Sequence, residues 1–242
     1  MERLVEEAKE HFGVRLTPAQ IDAYRIYLNE LTEWNQQHNL TAIQEPEQVR
    51  LKHFLDSLIL GIALRNTRPE RVVDVGSGAG FPGLALKIAF PQLKVSLIES
   101  VGKKLDFCAH IVERLNLTDV TLFKLRAEEA GQLRDQRERY DLAVARAVAV
   151  MPVLMEYLLP LVRVGGMAVA MKGESAPAET QTATHAIRLL GGELRQIVPV
   201  QLPGVADQRY LVLVDKVSAT PPGYPRRVGL PAKRPIPNPS VR

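Results

Sequence analysis

The chain's 242 residues predict an α/β fold, a doubly wound and mostly parallel Rossmann-like sheet of seven strands behind a helical extension. Three observations carry this expectation. Residues 72–83 pass from an apolar run (Val72, Val73, Val75) through Gly76, Gly78 and Gly80 into a helical pattern. Strand-like and helix-like segments then alternate through five β/α units. Two strand-like segments with no helix between them end the series, as in a closing antiparallel hairpin.

Thr17-Pro18-Ala19-Gln20 has the form of a capping box with proline in the first turn. Ile21, Tyr24, Leu28, Leu31 and Trp34 follow at helical spacing, a face suited to packing on the core. A second helix is expected over 48–64. The polar stretch 35–41 between them reads as a surface connection or part of a site. The strand at 72–75 leads to a helix over 84–90, with Pro82 in its first turn. A strand over 94–98, a helix over 103–115 and strands over 120–125 and 141–148 come next. A helix from Pro152, a strand over 167–171 and a helix over 178–190 follow, the last stopped by Gly191-Gly192. Residues 194–198 and 210–214 form the hairpin. A dinucleotide dehydrogenase would continue with crossover helices instead, so this is the element order of a class I methyltransferase domain. The chain divides into an N-terminal helical layer (1–64), the sheet domain (65–217) and a basic, proline-rich tail (218–242), expected to be extended and mobile unless bound.

Composition limits the function classes. A hydrophobic share of 46% and a charged share of 24% are those of an ordinary soluble domain. No apolar run approaches a membrane span, and the first seven residues are no signal peptide, so a cytoplasmic protein is expected. The single Cys108 builds neither an internal disulfide nor a cysteine-rich metal site. It shares a helical face with Leu105, Ile111, Val112 and Leu115, as a structural thiol would. The net charge of +4 is uneven: six Lys or Arg and no Asp or Glu fall between Lys216 and Arg242, leaving the rest at −2. Such a tail suits phosphate, although many basic tails only add solubility.

The chemistry is read at the glycine turn. Glycines after a strand let a ligand approach the backbone, and the helix N-terminus beyond offers unpaired N–H groups. Asp74 discriminates. A carboxylate just ahead of the glycines repels a pyrophosphate but suits an ammonium, which points from NAD towards S-adenosylmethionine. Glu99, closing the next strand about 20 residues on, has the spacing of a ribose-hydroxyl acceptor. Arg146 ends a core strand facing the crevice, as a group at the site or in an ion pair with Asp141 or Glu128. His53 and Asp56 lie one helical turn apart. A metal could use that spacing, but no third ligand matches, so a hydrogen-bonding pair is expected and no metal.

Asn39-Leu40-Thr41, His53-Phe54-Leu55-Asp56-Ser57, the stretch from Asp74 to Gly83, Arg146-Ala147, Lys172-Gly173 and Tyr224-Pro225-Arg226-Arg227-Val228-Gly229-Leu230-Pro231 together resemble the RsmG (GidB) family. The resemblance spans about residues 34–237. It implies methylation by S-adenosylmethionine of N7 of guanine 527, in the 530 loop of bacterial 16S rRNA. It also implies that Gly76, Phe81, Glu99, Ala127, Glu128 and Arg146 line the cofactor pocket, to which Asp74, Gly78 and Ser100 are added. Arg146, Arg126 and Lys172 are the expected catalytic residues. Asn39, His53, Arg226, Arg227 and Lys233 are expected to contact RNA, either free 16S rRNA or the small subunit, and a monomer is expected. Guanine N7 carries a free lone pair at neutral pH, so no general base is needed, and catalysis should come from alignment and desolvation. Two other classes compete: a nicotinamide oxidoreductase, opposed by Asp74 and the hairpin, and a non-catalytic RNA-binding protein, opposed by the Asp74/Glu99 pair.

Overall fold

In the computed structural model, residues 1–65 and 67–239 are described. Seven strands form one sheet in the order β3-β2-β1-β4-β5-β7-β6, where β1 is Arg71–Val75, β2 Lys94–Ile98, β3 Val120–Phe123, β4 Tyr140–Arg146, β5 Val162–Lys172, β6 Gly192–Val200 and β7 Arg209–Lys216. The pairs β1–β2, β1–β4, β2–β3 and β4–β5 are parallel, and β7 runs antiparallel to both β5 and β6. The order reverses between β1 and β4, and ligands bind outside the carboxyl ends of the strands at such a switch point. The apolar runs Val72–Val75 and Leu142–Ala145 are buried on both faces, as central parallel strands require.

Helices α6 (Gly83–Ala89) and α7 (Gly102–Arg114) belong to one face of the sheet, and α9 (Met151–Leu158) and α10 (Ala176–Leu189) to the other, while the short α8 (Ala127–Ala130) follows β3. The first face shares its apolar cluster with the N-terminal layer, through Tyr24, Tyr27, Leu31, Phe54 and Leu58. In that layer, α2 (Pro18–His38) starts at the capping box expected from Thr17 and Gln20. It is preceded by α1 (Glu2–Phe12), which the sequence reading did not name. Leu4, Ala8 and Phe12 form its buried stripe, and Gly13 ends it in the left-handed conformation at φ 67°.

Two expectations are corrected. The helix over 48–64 is not continuous: α3 (Pro46–Val49) passes into a π-helical stretch (Arg50–Leu55), followed by α4 (Asp56–Leu58) and, after a turn, α5 (Gly61–Leu64). A π turn re-aims side chains relative to a regular helix, and such turns are frequent at functional sites. Buried Arg50 anchors the stretch by ion pairs to Glu47 and to Glu7 of α1. The tail, expected to be extended and mobile, is folded onto α8 and α9, includes the short α11 (Leu230–Lys233) and reaches α10 through Asn238. The reason is a set of buried partners. Fully buried Glu156 accepts from the Arg226 backbone N–H at 2.8 Å and from its Nη2 at 2.6 Å. Arg137 donates to the carbonyls of Thr220 and Tyr224, and Gln132 to that of Pro225. Arg242 of the expected basic tail lies outside the described residues. Among the described residues, no helix is long and apolar enough to cross a membrane.

Candidate active site

A cleft of about 490 Å³ opens at the carboxyl ends of β1, β4 and β5 and the amino end of the antiparallel β7. Its floor is the glycine turn, Gly76–Ala79. One wall comes from the N-terminal layer (Thr41, Lys52, His53, Asp56), and the other from Arg146, Met171, Lys172, Arg209 and Tyr210. Gly76, Gly78 and Gly80 all have positive φ, at 70°, 57° and 90°. A Cβ on Gly76 would meet Val148 at 2.7 Å, and one on Gly80 would meet the Tyr27 hydroxyl at 2.5 Å, whereas the space at Gly78 is open. The turn is therefore packed from behind and open towards the cleft.

Asp74 is fully buried behind the turn. Its Oδ2 accepts from the Gly83 N–H at 2.7 Å, and its Oδ1 is buried with no partner among the described residues. Burial pushes its pKa up from 3.8 to about 7, against the lowering effects of the Gly83 N–H and the Arg146 charge, with Glu99 adding a smaller rise. The Ser77 hydroxyl is another buried polar atom without a hydrogen-bond partner among the described residues. Buried polar groups are normally satisfied, so both suit a bound polar ligand. Glu99 accepts from the Gly78 N–H at 2.9 Å and the Val101 N–H at 2.8 Å, which holds its carboxylate beside the glycine turn. Cys108 packs beneath, with Sγ 3.4 Å from the Gly78 carbonyl oxygen, and burial pushes its thiol pKa up. The thiol is structural.

The N-terminal layer meets this turn through stacked rings. Phe81 lies between Tyr27, at 5.1 Å and 7°, and His53, at 4.7 Å and 15°, and the Tyr27 hydroxyl donates to the Ala79 carbonyl. Arg146 does not pair with Asp141 or Glu128. Its Nη1 donates to Asp56 Oδ2 and to the Lys52 carbonyl, both at 2.8 Å, and its Nη2 lies 3.1 Å from His53 Nδ1. Asp141 instead pairs with Arg163, and Glu128 accepts from the Gly229 N–H of the tail at 2.9 Å. Asp56 also faces Arg209, whose Nε is 3.3 Å from Oδ1. His53 and Asp56 are thus joined by an arginine rather than a metal. Burial and the Arg146 charge lower the His53 pKa to about 3, so the ring is neutral.

The cleft brings together Gly76, Gly78, Phe81, His53, Arg146 and Lys172 of the expected residues, with Asp74 and Glu99 directly behind the turn. Lys172 is engaged by Glu179 at 2.7 Å and by the Ala149 carbonyl. Ser100, Arg126, Ala127, Glu128 and Asn39 do not line it. Arg126 caps α8, its N–H bonded to Glu129, and Asn39 ends α2 in the left-handed conformation. Arg226 is committed to Glu156, whereas Arg227 and Lys233 are exposed. The sequence reading missed Lys52, Lys104, Arg209 and Tyr210, which line the cleft, and gave Thr41 no role. Only Arg209 and Tyr210 carried a signal, at the start of the last strand.

The fold is that of class I methyltransferases. TrmN from Thermus thermophilus aligns with a TM-score of 0.51 at 19% identity, covering 69% of this chain and 53% of that one. The 16S rRNA (adenine(1408)-N(1))-methyltransferase of Catenulisporales acidiphilia, in a mutant form, aligns with a TM-score of 0.53 at 12% identity, covering 63% and 87%. The family is given by sequence. The model of the GidB family, rRNA small subunit methyltransferase G, matches residues 20–211, and the chain belongs to that family. It is 49% identical over 225 residues to the ribosomal RNA small subunit methyltransferase G of Roseiflexus castenholzii, covering 93% of this chain and 95% of the relative. To that of Acetivibrio thermocellus it is 44% identical over 236 residues, covering 98% and 97%.

Proposed function

We propose that the protein transfers a methyl group from S-adenosylmethionine to N7 of guanine 527 in the 530 loop of 16S rRNA, in the cytoplasm. The observation that carries this reading is the unpartnered Oδ1 of Asp74, buried behind an open glycine turn in a member of a methyltransferase family. The residues fit the cofactor. Asp74 would hold the ammonium, Glu99 would accept the ribose hydroxyls, and Gly78 leaves room against the backbone. When bound, S-adenosylmethionine supplies a methyl group on a positively charged sulfur.

The remaining work falls to the chain. N7 needs no base, and His53, its pKa lowered to about 3 by burial and Arg146, and the buried Cys108 are poor ones. The cleft's residues instead align the purine and keep water from the reacting atoms. Among the described residues that line the cleft, Arg146 and Arg209 face Asp56 and Lys172 is paired with Glu179, which leaves Lys52 and Lys104 to attract an RNA phosphate. Arg146 fixes the N-terminal wall through Asp56 and His53, and Arg227 and Lys233 extend the basic surface. The test is labelled methyl transfer to unmodified 16S rRNA and to unmodified small subunits. Incorporation into either supports the reading, and incorporation into neither overturns it.

A further inference from the structure

Arg146 ends β4, and every group its guanidinium bonds among the described residues comes from one short segment of the N-terminal layer. Nη1 donates to the Lys52 carbonyl and to Asp56 Oδ2, both at 2.8 Å, and Nη2 lies 3.1 Å from His53 Nδ1. Asp56 also reaches a second strand, since its Oδ1 lies 3.3 Å from Nε of Arg209 at the start of β7. The Arg209 side chain has no other ion pair or hydrogen bond among the described residues. Strand β5 runs between β4 and β7, so one carboxylate ties two strands that are not neighbours. Asp56 is buried, and both arginine side chains are largely so. The segment that carries this carboxylate is itself anchored. The Asp56 N–H bonds to the Leu51 and His53 carbonyls, and Arg50 fixes the start of the π stretch through Glu7 and Glu47.

We propose that Asp56 is a positioning residue for methyl transfer, holding the Arg146 and Arg209 guanidiniums at a fixed separation across the cleft. This rests on the methyl-transfer reading above, and not on which nucleotide is methylated. Transfer to a free lone pair gains from alignment, so a group lining the cleft contributes only as well as it is held. An unpaired arginine samples many rotamers, and a charge-assisted bond to a carboxylate removes most of them. Without Asp56, two like charges would share one space, and Arg209 would have nothing to hold it. Attraction of substrate does not explain the residue. Asp56 is the one acid among the described residues that line the cleft, and its charge repels phosphate. Ordering the two cations is the role its contacts fit.

The experiment compares the full chain with Asp56→Asn, which keeps the side chain's size and removes its charge. Two quantities are read: the single-turnover rate of labelled methyl transfer to unmodified 16S rRNA or small subunits, with both substrates saturating, and the affinity for that RNA. Asp56→Asn is expected to slow transfer by about tenfold or more, the effect of losing a hydrogen bond to a charged group. RNA should bind within about threefold of the parent or more tightly, because the cleft has lost its acid. A smaller loss of rate overturns the proposal. So does an RNA affinity that falls as far as the rate, which is what a merely structural role produces. Where Asp56→Asn does not fold, the parent decides by NMR of isotope-labelled arginine side chains, with Arg146→Lys identifying the signal. A clamped Arg146 gives separate, slowly exchanging Nη signals, and averaged signals overturn the proposal. A parent that methylates neither substrate overturns the methyl-transfer reading instead, and the arginine spectrum still decides the clamp.

Discussion

Replacing Arg226 by alanine removes the only side-chain cation paired with Glu156 among the described residues. Glu156 is fully buried and accepts from Arg226 Nε at 2.9 Å, from Nη2 at 2.6 Å and from the backbone N–H at 2.8 Å. The backbone bond survives the substitution, and the two charged donors do not. Removing one partner of a buried pair costs about 3–5 kcal/mol, because the other charge stays buried without compensation. The Arg226 side chain is 23% exposed, so water can reach the vacated side, and the lower end, about 3 kcal/mol, is expected. For a chain of this size each kcal/mol moves the melting temperature by about 2–4 °C, which gives a drop of roughly 6–12 °C. Differential scanning calorimetry at fixed protein concentration measures it. Exposed Arg227→Ala should stay within about 0.5 kcal/mol of the parent. Adding Glu156→Gln to Arg226→Ala should recover part of the loss. An Arg226→Ala protein melting within 2 °C of the parent, or an Arg227→Ala protein falling as far, would refute the argument.

Two further outcomes follow from the site and the tail. Burial raises the Asp74 pKa from 3.8 to about 7, so the folded protein without ligand binds more protons than the unfolded chain between those values. The stability this gives is fully present below pH 3.8 and is lost as pH rises towards 7, a change of about 4 kcal/mol at most. An ammonium beside Asp74 favours the carboxylate. Adenosylhomocysteine should therefore bind more tightly as pH rises from 5 to 7 and release a proton near pH 6, as calorimetry in buffers of different ionisation enthalpy reads. A parent affinity flat over this range, or an Asp74→Asn protein that keeps the dependence, contradicts the assignment. In the tail, alanine at both Arg227 and Lys233 should weaken rRNA binding and lower the log–log salt slope by about one to two units, leaving the melting temperature and adenosylhomocysteine affinity unchanged. An unchanged slope removes these residues from the RNA interface.

The sheet was legible because central parallel strands need continuous apolar runs, as in Val72–Val75, and because glycines and prolines mark where such runs end. The placing of Asp74 and Glu99 was legible for a related reason, since Asp74 sits next to last in β1, just before the glycines, and Glu99 directly follows β2. Partner choice was not. Arg146 meets Asp56, 90 positions away in sequence, and nothing local distinguishes that carboxylate from Asp141 or Glu128. The π turn was hidden as well, since its side-chain periodicity differs little from that of an α-helix over six residues. The folded tail did leave a sign. Glu156 is the only charged residue of α9, MPVLMEYL, and an acid on so apolar a helix requires a cation brought from elsewhere. The basic tail supplies it, so part of the charge set aside for RNA serves the fold.

The measurement that bears most directly on the central claim is the position of the transferred methyl group. Unmodified 16S rRNA or small subunits, incubated with the protein and labelled S-adenosylmethionine, are cleaved by chemistry specific for N7-methylated guanine, and the break is located by primer extension. A single break in the 530 loop, at guanine 527, is the result expected. Label recovered at another atom or another nucleotide, with that loop uncut, would contradict the account.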